Sequence, residues 1–352
     1  MIGSHRPARL GLLQVMYRPR ALALVGVLAG LVAALALASV ALGSTWIPLS
    51  RILAALVGAG AEMDTLIVVD FRLPRALMAV LAGACLGVAG LLLQRATRNP
   101  LASPTVLGIV DGGGVAVLLF LILFSDADDS LMVSIHWQPA AAALGAVVFL
   151  GLVFWLSREQ RTAPVRLILY GVAVAALAKA AITLLMVTGP VYRASQATRW
   201  LAGALDGVDW MEVRIAGVLT VLLLGVAALV TRRMNVLDLD EISAHGLGVG
   251  NPLNRLGLFV LAALLTATAV SFLGGIGFVG LMAPHLATAL LGRPTGAGLV
   301  GTALIGAALV LSADLIVRAL FAPIEVPAGA VTALVGGPYL LYLLTRKGST
   351  HG

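Results

Sequence analysis

Residues 297–321 read AGLVGTALIGAALVLSADLIVRALF, an apolar run that carries only two charged side chains, Asp314 and Arg318. The hydrocarbon core of a bilayer is about 30 Å thick and needs about 20 predominantly apolar residues per helix. This run is therefore long enough for one transmembrane helix. Its small residues, among them Gly301 and Gly306, allow close approach of neighbouring helices in lipid, where no hydrophobic effect drives helices together.

Nine further apolar runs occupy most of the remaining chain. They indicate an all-α fold, a polytopic membrane protein of about ten transmembrane helices. Residues 1–352 then form a single transmembrane domain. The first run is too long for the apolar part of a signal peptide, so we expect it to be a retained helix. The nine runs are 21–43, 72–94, 101–124, 140–156, 165–188, 213–231, 253–272, 276–291 and 326–345.

The composition excludes several classes of protein. Hydrophobic residues make up 60% of the chain and charged residues 11%, against about 25% charged in soluble domains. The net charge of +7 is spread between the apolar runs, which argues against a nucleic-acid interface. The single cysteine, Cys85, lies inside an apolar run, so we expect neither disulfides nor a metal site.

The distribution of arginine and lysine predicts the orientation. If the N-terminus is cytoplasmic, cytoplasmic segments hold about twice as many cations as outer segments, in agreement with the positive-inside rule. An even number of spans returns the C-terminus to the same side. The tail 1–19 and the long connection 232–252 are then cytoplasmic as well.

Two glycine-rich breaks interrupt the apolar runs, GGIG at 274–277 and GGP at 336–338. Non-helical backbone at membrane depth is tolerated only where protein or a water-filled cavity surrounds it. A central pathway between helices is therefore expected.

A series of motifs completes the pattern. In this order and spacing the chain resembles the FecCD/BtuC-type permeases, the membrane subunits of binding-protein-dependent importers for ferric siderophores, haem and cobalamin. The motifs are FRLPR at 71–75, RNPLA at 98–102, GVDW at 207–210, EISA at 241–244, GIGFVGL at 275–281, APH at 283–285, VPAG at 326–329 and GGP at 336–338.

The resemblance implies a type II ABC importer permease fold in the bacterial cytoplasmic (inner) membrane. It also implies the partners: two copies of a cytoplasmic ABC ATPase, a periplasmic substrate-binding protein and a second permease subunit. For that second subunit a heterodimer is plausible, and a homodimer stays open. The chain has no GxxxxGK[ST] motif for nucleotide phosphates, so we expect it to be no enzyme and to bind no cofactor, with ATP-Mg held by the partner ATPase.

Three arginines are assigned by the resemblance to docking of the binding protein: Arg72, Arg75 and Arg318. Guanidinium groups stay charged and recognise carboxylates in a bidentate manner, which suits acidic residues on the two lobes of that protein. The alternative is that these arginines anchor the chain to lipid phosphates.

The connection 232–252 is assigned by the resemblance to ATPase coupling, through short helices that fit a groove on the ATPase. An ordinary solvated loop is the alternative. The coupling residues are Glu241, Ile242, Ala244, His245 and Leu247.

Asp111, Lys179 and Asp314 are ionisable residues within predicted spans and are candidates for the translocation path. A charge at the centre of a span costs about 2.5–3.5 kcal/mol on insertion scales and is normally satisfied inside the bundle. Lys179 either faces the path and attracts an anionic ferric chelate, or pairs with Asp111, or snorkels towards the membrane surface.

The expected substrate is a ferric siderophore, with haem or cobalamin as alternatives. An alternative hypothesis assigns the chain to a different class of protein, the secondary transporters, with protons passing through the ionisable residues of the spans. The predicted coupling segment and the arginines on the outer side argue against it.

Overall fold

A computed structural model gives the architecture of the chain. It describes residues 6–10, 13–17, 19–43, 45–126, 131–157, 164–189, 191–237, 252–292, 296–321 and 324–348.

Helices dominate this structure. A π-helical segment, Leu66–Arg72, joins α3 to α4, and short 3-10 turns lie at Pro104–Leu107 and Ile135–Trp137. The α-helices are α1 Pro19–Ala41, α2 Leu49–Leu56, α3 Glu62–Thr65, α4 Leu73–Thr97, α5 Ile109–Leu123, α6 Gln138–Leu156, α7 Pro164–Thr188, α8 Val191–Leu201, α9 Trp210–Leu237, α10 Pro252–Leu273, α11 Val279–Leu291, α12 Gly296–Phe321 and α13 Ala328–Gly348.

Within the described residues, seven helices are long and apolar enough to cross a membrane, and three shorter apolar helices accompany them. Each of these ten coincides with one predicted run, and the all-α, polytopic fold class is confirmed. The three shorter helices are Ile109–Leu123, Val279–Leu291 and Ala328–Leu343.

Two of the short helices begin later than the runs predicted. Residues 101–108 form turns that end at Gly108, whose φ of 70° breaks the helical path before α5. Residues 274–277 are non-helical, so α11 starts only at Val279. In both places a break shortens the regular span, which is tolerated because protein surrounds it.

The N-terminal segment contains an element that the sequence analysis did not predict. Within the tail 1–19, strands β1 (Arg6–Leu10) and β2 (Leu13–Tyr17) pair in antiparallel fashion, with Arg6 opposite Tyr17. This hairpin directly precedes α1.

Helix α4 is the core of the bundle and contacts α9, α10, α11 and α12. Small residues make this possible, because a Cβ atom at Gly83 would collide with the backbone of Gly306 on α12. One at Gly90 would collide with Gly280 on α11. Gly83, Gly90 and Gly306 therefore mark backbone-to-backbone crossings. Helices α1, α7 and α9, by contrast, leave most of their apolar surface exposed for lipid or another subunit.

Candidate functional site at the outer end of the bundle

The three predicted docking arginines converge at one end of the bundle. Arg72 precedes α4, Arg75 lies in its first turn, and Arg318 lies in the last turn of α12. The same region includes the last turn of α1. We call this the outer end, since the charge bias predicts that it faces away from the cytoplasm.

Arg72 is buried, with 7% of its surface exposed. Its Nη1 donates to the carbonyl oxygens of Val40 and Ala41, each at 2.9 Å, and its Nη2 donates to that of Thr45 at 2.6 Å. The last carbonyls of a helix have no partner within the helix and carry partial negative charge. Arg72 therefore fastens the end of α1 to the start of α4.

Arg75 and Arg318 share one carboxylate, that of Asp314. Oδ1 of Asp314 lies 2.9 Å from Arg75 Nε, which donates a hydrogen bond, and 2.7 Å from Arg75 Nη2. Oδ2 lies 3.0 Å from Arg318 Nε, an ion pair that lacks hydrogen-bond alignment. Arg318 also donates to the carbonyl oxygens of Leu42 and Ser39. Asp314 is fully buried. This candidate for the translocation path therefore lies in a buried salt-bridge triad with Arg75 and Arg318.

The arginines line a cavity of about 410 Å³ that also contacts Thr45 and Glu325. Asp314 neutralises one of the two charges of Arg75 and Arg318. The side chains of these two arginines keep 19% and 13% of their surface exposed. The cavity thus combines fixed guanidinium groups with space for a further oxygen ligand.

Three chain breaks meet at one point in the bundle. The Gly275 N–H donates to the Trp200 carbonyl at 3.1 Å, and the Gly329 N–H donates to the Gly203 carbonyl at 3.1 Å. These bonds join the end of α8, the break between α10 and α11, and the start of α13. The break that the sequence marked at 274–277 is therefore satisfied by neighbouring backbone, as membrane depth requires.

The remaining path candidates lie on neighbouring helices. Asp111 on α5 is half-buried and Lys179 on α7 is exposed. Helices α5 and α7 contact each other, and the ion pair between Asp111 and Lys179 stays a prediction. The exposed face of α7 is open to lipid or to another subunit.

The coupling residues Glu241, Ile242, Ala244, His245 and Leu247 lie outside the described residues. Within the part of the chain that the structure describes, no group of three or more His, Cys, Asp or Glu side chains is placed to hold a metal ion.

A second polar cavity, which the sequence did not predict, lies at the outer ends of α8 and α10 and is lined in part by Arg199 and Trp200. One signal was available. Asp209 and Glu212 have the spacing of a capping box at the start of α9, and the Glu212 N–H donates to Asp209 Oδ1 at 2.8 Å. The capping box predicts where α9 begins, and this helix start forms part of the cavity wall. The cavity itself could not be predicted, because it forms between segments that are far apart in the sequence.

Comparison with known proteins identifies the family. The FecCD transport family matches residues 31–346. The chain is 46% identical to the probable siderophore transport system permease protein YfhA of Bacillus subtilis (strain 168), over 91% of this chain and 93% of that protein. It is 38% identical to the achromobactin transport system permease protein CbrC of Dickeya dadantii (strain 3937), over 93% and 90%.

A solved structure has the same fold. It is described as an inward-facing conformation of a putative metal-chelate type ABC transporter, and it superimposes with a TM-score of 0.80 at 28% identity. The match covers 92% of this chain and 99% of that one. Membership of this family implies an ATPase and a substrate-binding protein as partners and a multi-pass location in the inner membrane. Within the family the permease subunit is not itself an enzyme. The chain is therefore a member of the FecCD transport family, a membrane-embedded permease subunit of an ABC transporter.

Proposed function

We propose that this permease carries a ferric siderophore into the cell across the cytoplasmic membrane, driven by ATP-Mg hydrolysis in its partner ATPase. The main support for this proposal is the arginine cavity at the outer end. Its guanidinium groups can bind a carboxylate of the binding protein at the place where that protein would deliver substrate. Two relatives named for siderophore and achromobactin transport support the choice of substrate. Haem and cobalamin are the alternative substrates.

Docking of the binding protein is supported by the charge balance of the cavity. Arg75 and Arg318 bring two positive charges to one buried carboxylate, Asp314. Arg72 and Glu325 also line the cavity, so three guanidinium groups face two carboxylates and one positive charge is left over. An acidic side chain of the docked protein compensates this charge and forms charge-assisted hydrogen bonds with guanidinium groups that are already oriented. Arg72 contributes to the electric field, but its Nη1 and Nη2 donors are committed to carbonyl oxygens at the end of α1 and at Thr45. Its direct share in docking is therefore smaller.

The remaining partners follow from the proposed topology. With both termini in the cytoplasm, the segment 232–252 lies on the cytoplasmic side, where Glu241 to Leu247 contact the ATPase. Two ATPase copies then serve two permease subunits. The exposed face of α7 suits a contact with the second permease subunit across the path, in a heterodimer or a homodimer.

Lys179 and Asp111 are proposed to line that path. Their opposite charges would give the path a polar feature that does not require an anionic substrate.

The test is uptake into proteoliposomes that contain the permease, its ATPase and its binding protein. Labelled ferric siderophore, haem and cobalamin are supplied separately, with and without internal ATP. Accumulation of ferric siderophore only with ATP and both partners is the expected result. Selective accumulation of haem or cobalamin would replace the substrate. Uptake by the permease alone, driven by a proton gradient, would show a secondary transporter instead.

A further inference from the structure

Two large apolar side chains lie beside the arginines at the outer end of the bundle. Phe71 and Ile324 line the arginine cavity and keep 62% and 70% of their surface exposed. We call these two residues the apolar rim. Because they share a cavity with charged groups, they differ from the apolar side chains on the outer faces of the spans, which suit lipid. Aromatic residues and arginine are residue types that are enriched in protein–protein interfaces.

Phe71 is held in position by its neighbours in the chain. It belongs to the π-helical segment Leu66–Arg72. The indole Nε1 of Trp210 on α9 donates to the carbonyl oxygen of Val69 in this segment at 3.0 Å. The residue after Phe71, Arg72, is buried and donates to carbonyl oxygens at the end of α1. The backbone on both sides of Phe71 is therefore anchored, so little order has to be imposed when a partner binds its exposed side chain.

Ile324 lines the cavity from a different segment. It follows the end of α12, and its N–H donates to the carbonyl oxygen of Phe321 at 2.7 Å. The next residue, Glu325, lines the cavity as well. The apolar rim is therefore formed by two segments that are far apart in the sequence, one before α4 and one after α12.

The charge of the cavity favours an anionic occupant. Arg72, Arg75 and Arg318 face the carboxylates of Asp314 and Glu325, which leaves one positive charge. An acidic side chain with apolar neighbours on a protein surface combines the required charge with apolar surface. Membership of the family implies a substrate-binding protein as partner. A folded protein also presents its side chains in a fixed arrangement, which suits a rim whose backbone is anchored.

We propose that Phe71 and Ile324 are apolar anchors for the substrate-binding protein, and that the cavity takes up an acidic residue of that protein flanked by apolar side chains. This inference rests on the proposed function. Charges at the edge of an interface act mainly on the rate of association. Packed apolar contacts act mainly on the rate of dissociation. The arginines therefore attract the binding protein, and the apolar rim sets how long the complex lasts.

The binding kinetics of the substrate-binding protein test this proposal. The permease with its ATPase is placed in nanodiscs, and the analyte is the binding protein of the uptake assay. Phe71→Ala should speed dissociation about tenfold, as expected for loss of an aromatic anchor. The fold-change should be the same at low and at high salt, because the side chain is uncharged. Phe71→Leu keeps most of the apolar surface and should restore most of the lifetime.

Trp137→Ala is the matched control. Trp137 is 65% exposed at the start of α6 and does not line the arginine cavity, so its loss should leave the kinetics unchanged. Ile324→Ala is a second test in case Phe71→Ala folds poorly, and should speed dissociation about threefold. Unchanged dissociation in both rim variants, or an equal effect of the control, would overturn the proposal.

Photo-cross-linking identifies the occupant of the cavity. With p-benzoylphenylalanine in place of Phe71, we expect a covalent adduct with the binding protein. The same cross-linker in place of Leu222, which is 61% exposed in the apolar span of α9, should give no such adduct. Adducts of position 71 only with lipid or only with a second permease subunit would overturn the proposal.

The same preparations separate this inference from the proposed function. Unchanged dissociation of Phe71→Ala, together with ATP-driven uptake of a ferric siderophore by the original chain, would reject the apolar anchors and leave the import function. Docking that depends on Phe71, without any ATP-driven uptake, would reject the import function and leave the docking surface.

Discussion

The Arg75 guanidinium on α4 and the Asp314 carboxylate on α12 form an ion pair of 2.7 Å between Nη2 and Oδ1, and the carboxylate is fully buried. Arg318 approaches the other carboxylate oxygen at 3.0 Å. Asp314 therefore joins two helices at their outer ends and orients two arginines at the same time. A single residue in an apolar span thus connects the stability of the bundle with the geometry of its outer surface.

Replacing Asp314 with Asn should destabilise the protein and weaken docking. The change removes the charge that compensates two partly buried guanidinium groups, and breaking such a buried pair costs about 3 kcal/mol. Docking should weaken because Arg75 and Arg318 lose the carboxylate that orients them, which outweighs the gain in net positive charge. Thermal unfolding in nanodiscs measures the loss of stability. The dissociation constant for the binding protein measures the weakening of docking. Asp70→Asn, at an exposed acid, is the control. Unchanged stability would show that Asp314 does not hold α4 to α12.

Replacing Arg75 with Gln should lower the affinity for the binding protein about tenfold and reduce the dependence of that affinity on salt concentration. A rim charge acts through electrostatic attraction, which salt screens. Arg214→Gln is the matched control, since Arg214 is exposed in the first turns of α9 and lies outside the cavity. If Arg75 instead anchors the chain to lipid, its replacement will leave docking unchanged and alter the response to anionic lipid.

The sequence predicted the number and position of the ten apolar helices because each needs a long apolar run, and that signal is local. The family motifs also pointed to Arg72, Arg75 and Arg318 as docking residues. They did not predict that Arg72 donates hydrogen bonds to the carbonyl oxygens at the end of α1. That arrangement depends on contacts between residues about thirty positions apart. The shared role of Asp314 escaped prediction for the same reason, since Arg75 is 239 residues away. Charge type is visible in a sequence, whereas charge pairing across helices is not.

Replacing Gly275 with Ala should impair transport more than it impairs folding of the rest of the bundle. A Cβ atom there would collide with the Leu201 carbonyl and push α8 away from the break between α10 and α11. Gly277→Ala is a close control, because nothing lies within 4 Å of the added Cβ on the same break. We expect uptake to fall at least tenfold in the first variant and less than twofold in the second. Equal uptake by both would show that close contact between the breaks is not needed.

Replacing Lys179 with Met should reduce uptake several-fold. The change removes a positive charge from the helix that packs against the helix of Asp111, and an uncompensated charge inside a span is costly. The double variant Lys179→Met, Asp111→Asn removes both charges and should recover a large part of the activity if the pair matters as a unit. Uptake assays of the three proteins at equal reconstitution density provide the comparison. Normal transport by the single variant would remove Lys179 from the path.

Replacing Arg72 with Lys distinguishes anchoring of α1 from docking, because it keeps the positive charge but loses the planar fork. Arg72 donates to the carbonyl oxygens of Val40, Ala41 and Thr45, and one ammonium cannot reproduce this geometry. Hydrogen bonds that involve a charged group contribute about 1.5–3 kcal/mol each. We therefore expect the free energy of unfolding in nanodiscs to fall by about 2 kcal/mol. The affinity of the folded protein for the binding protein should stay within about twofold of the original value. A tenfold loss of affinity without loss of stability would instead make Arg72 a direct docking residue. The end of α1 would then be held mainly by Arg318, whose bonds to Ser39 and Leu42 remain in the variant.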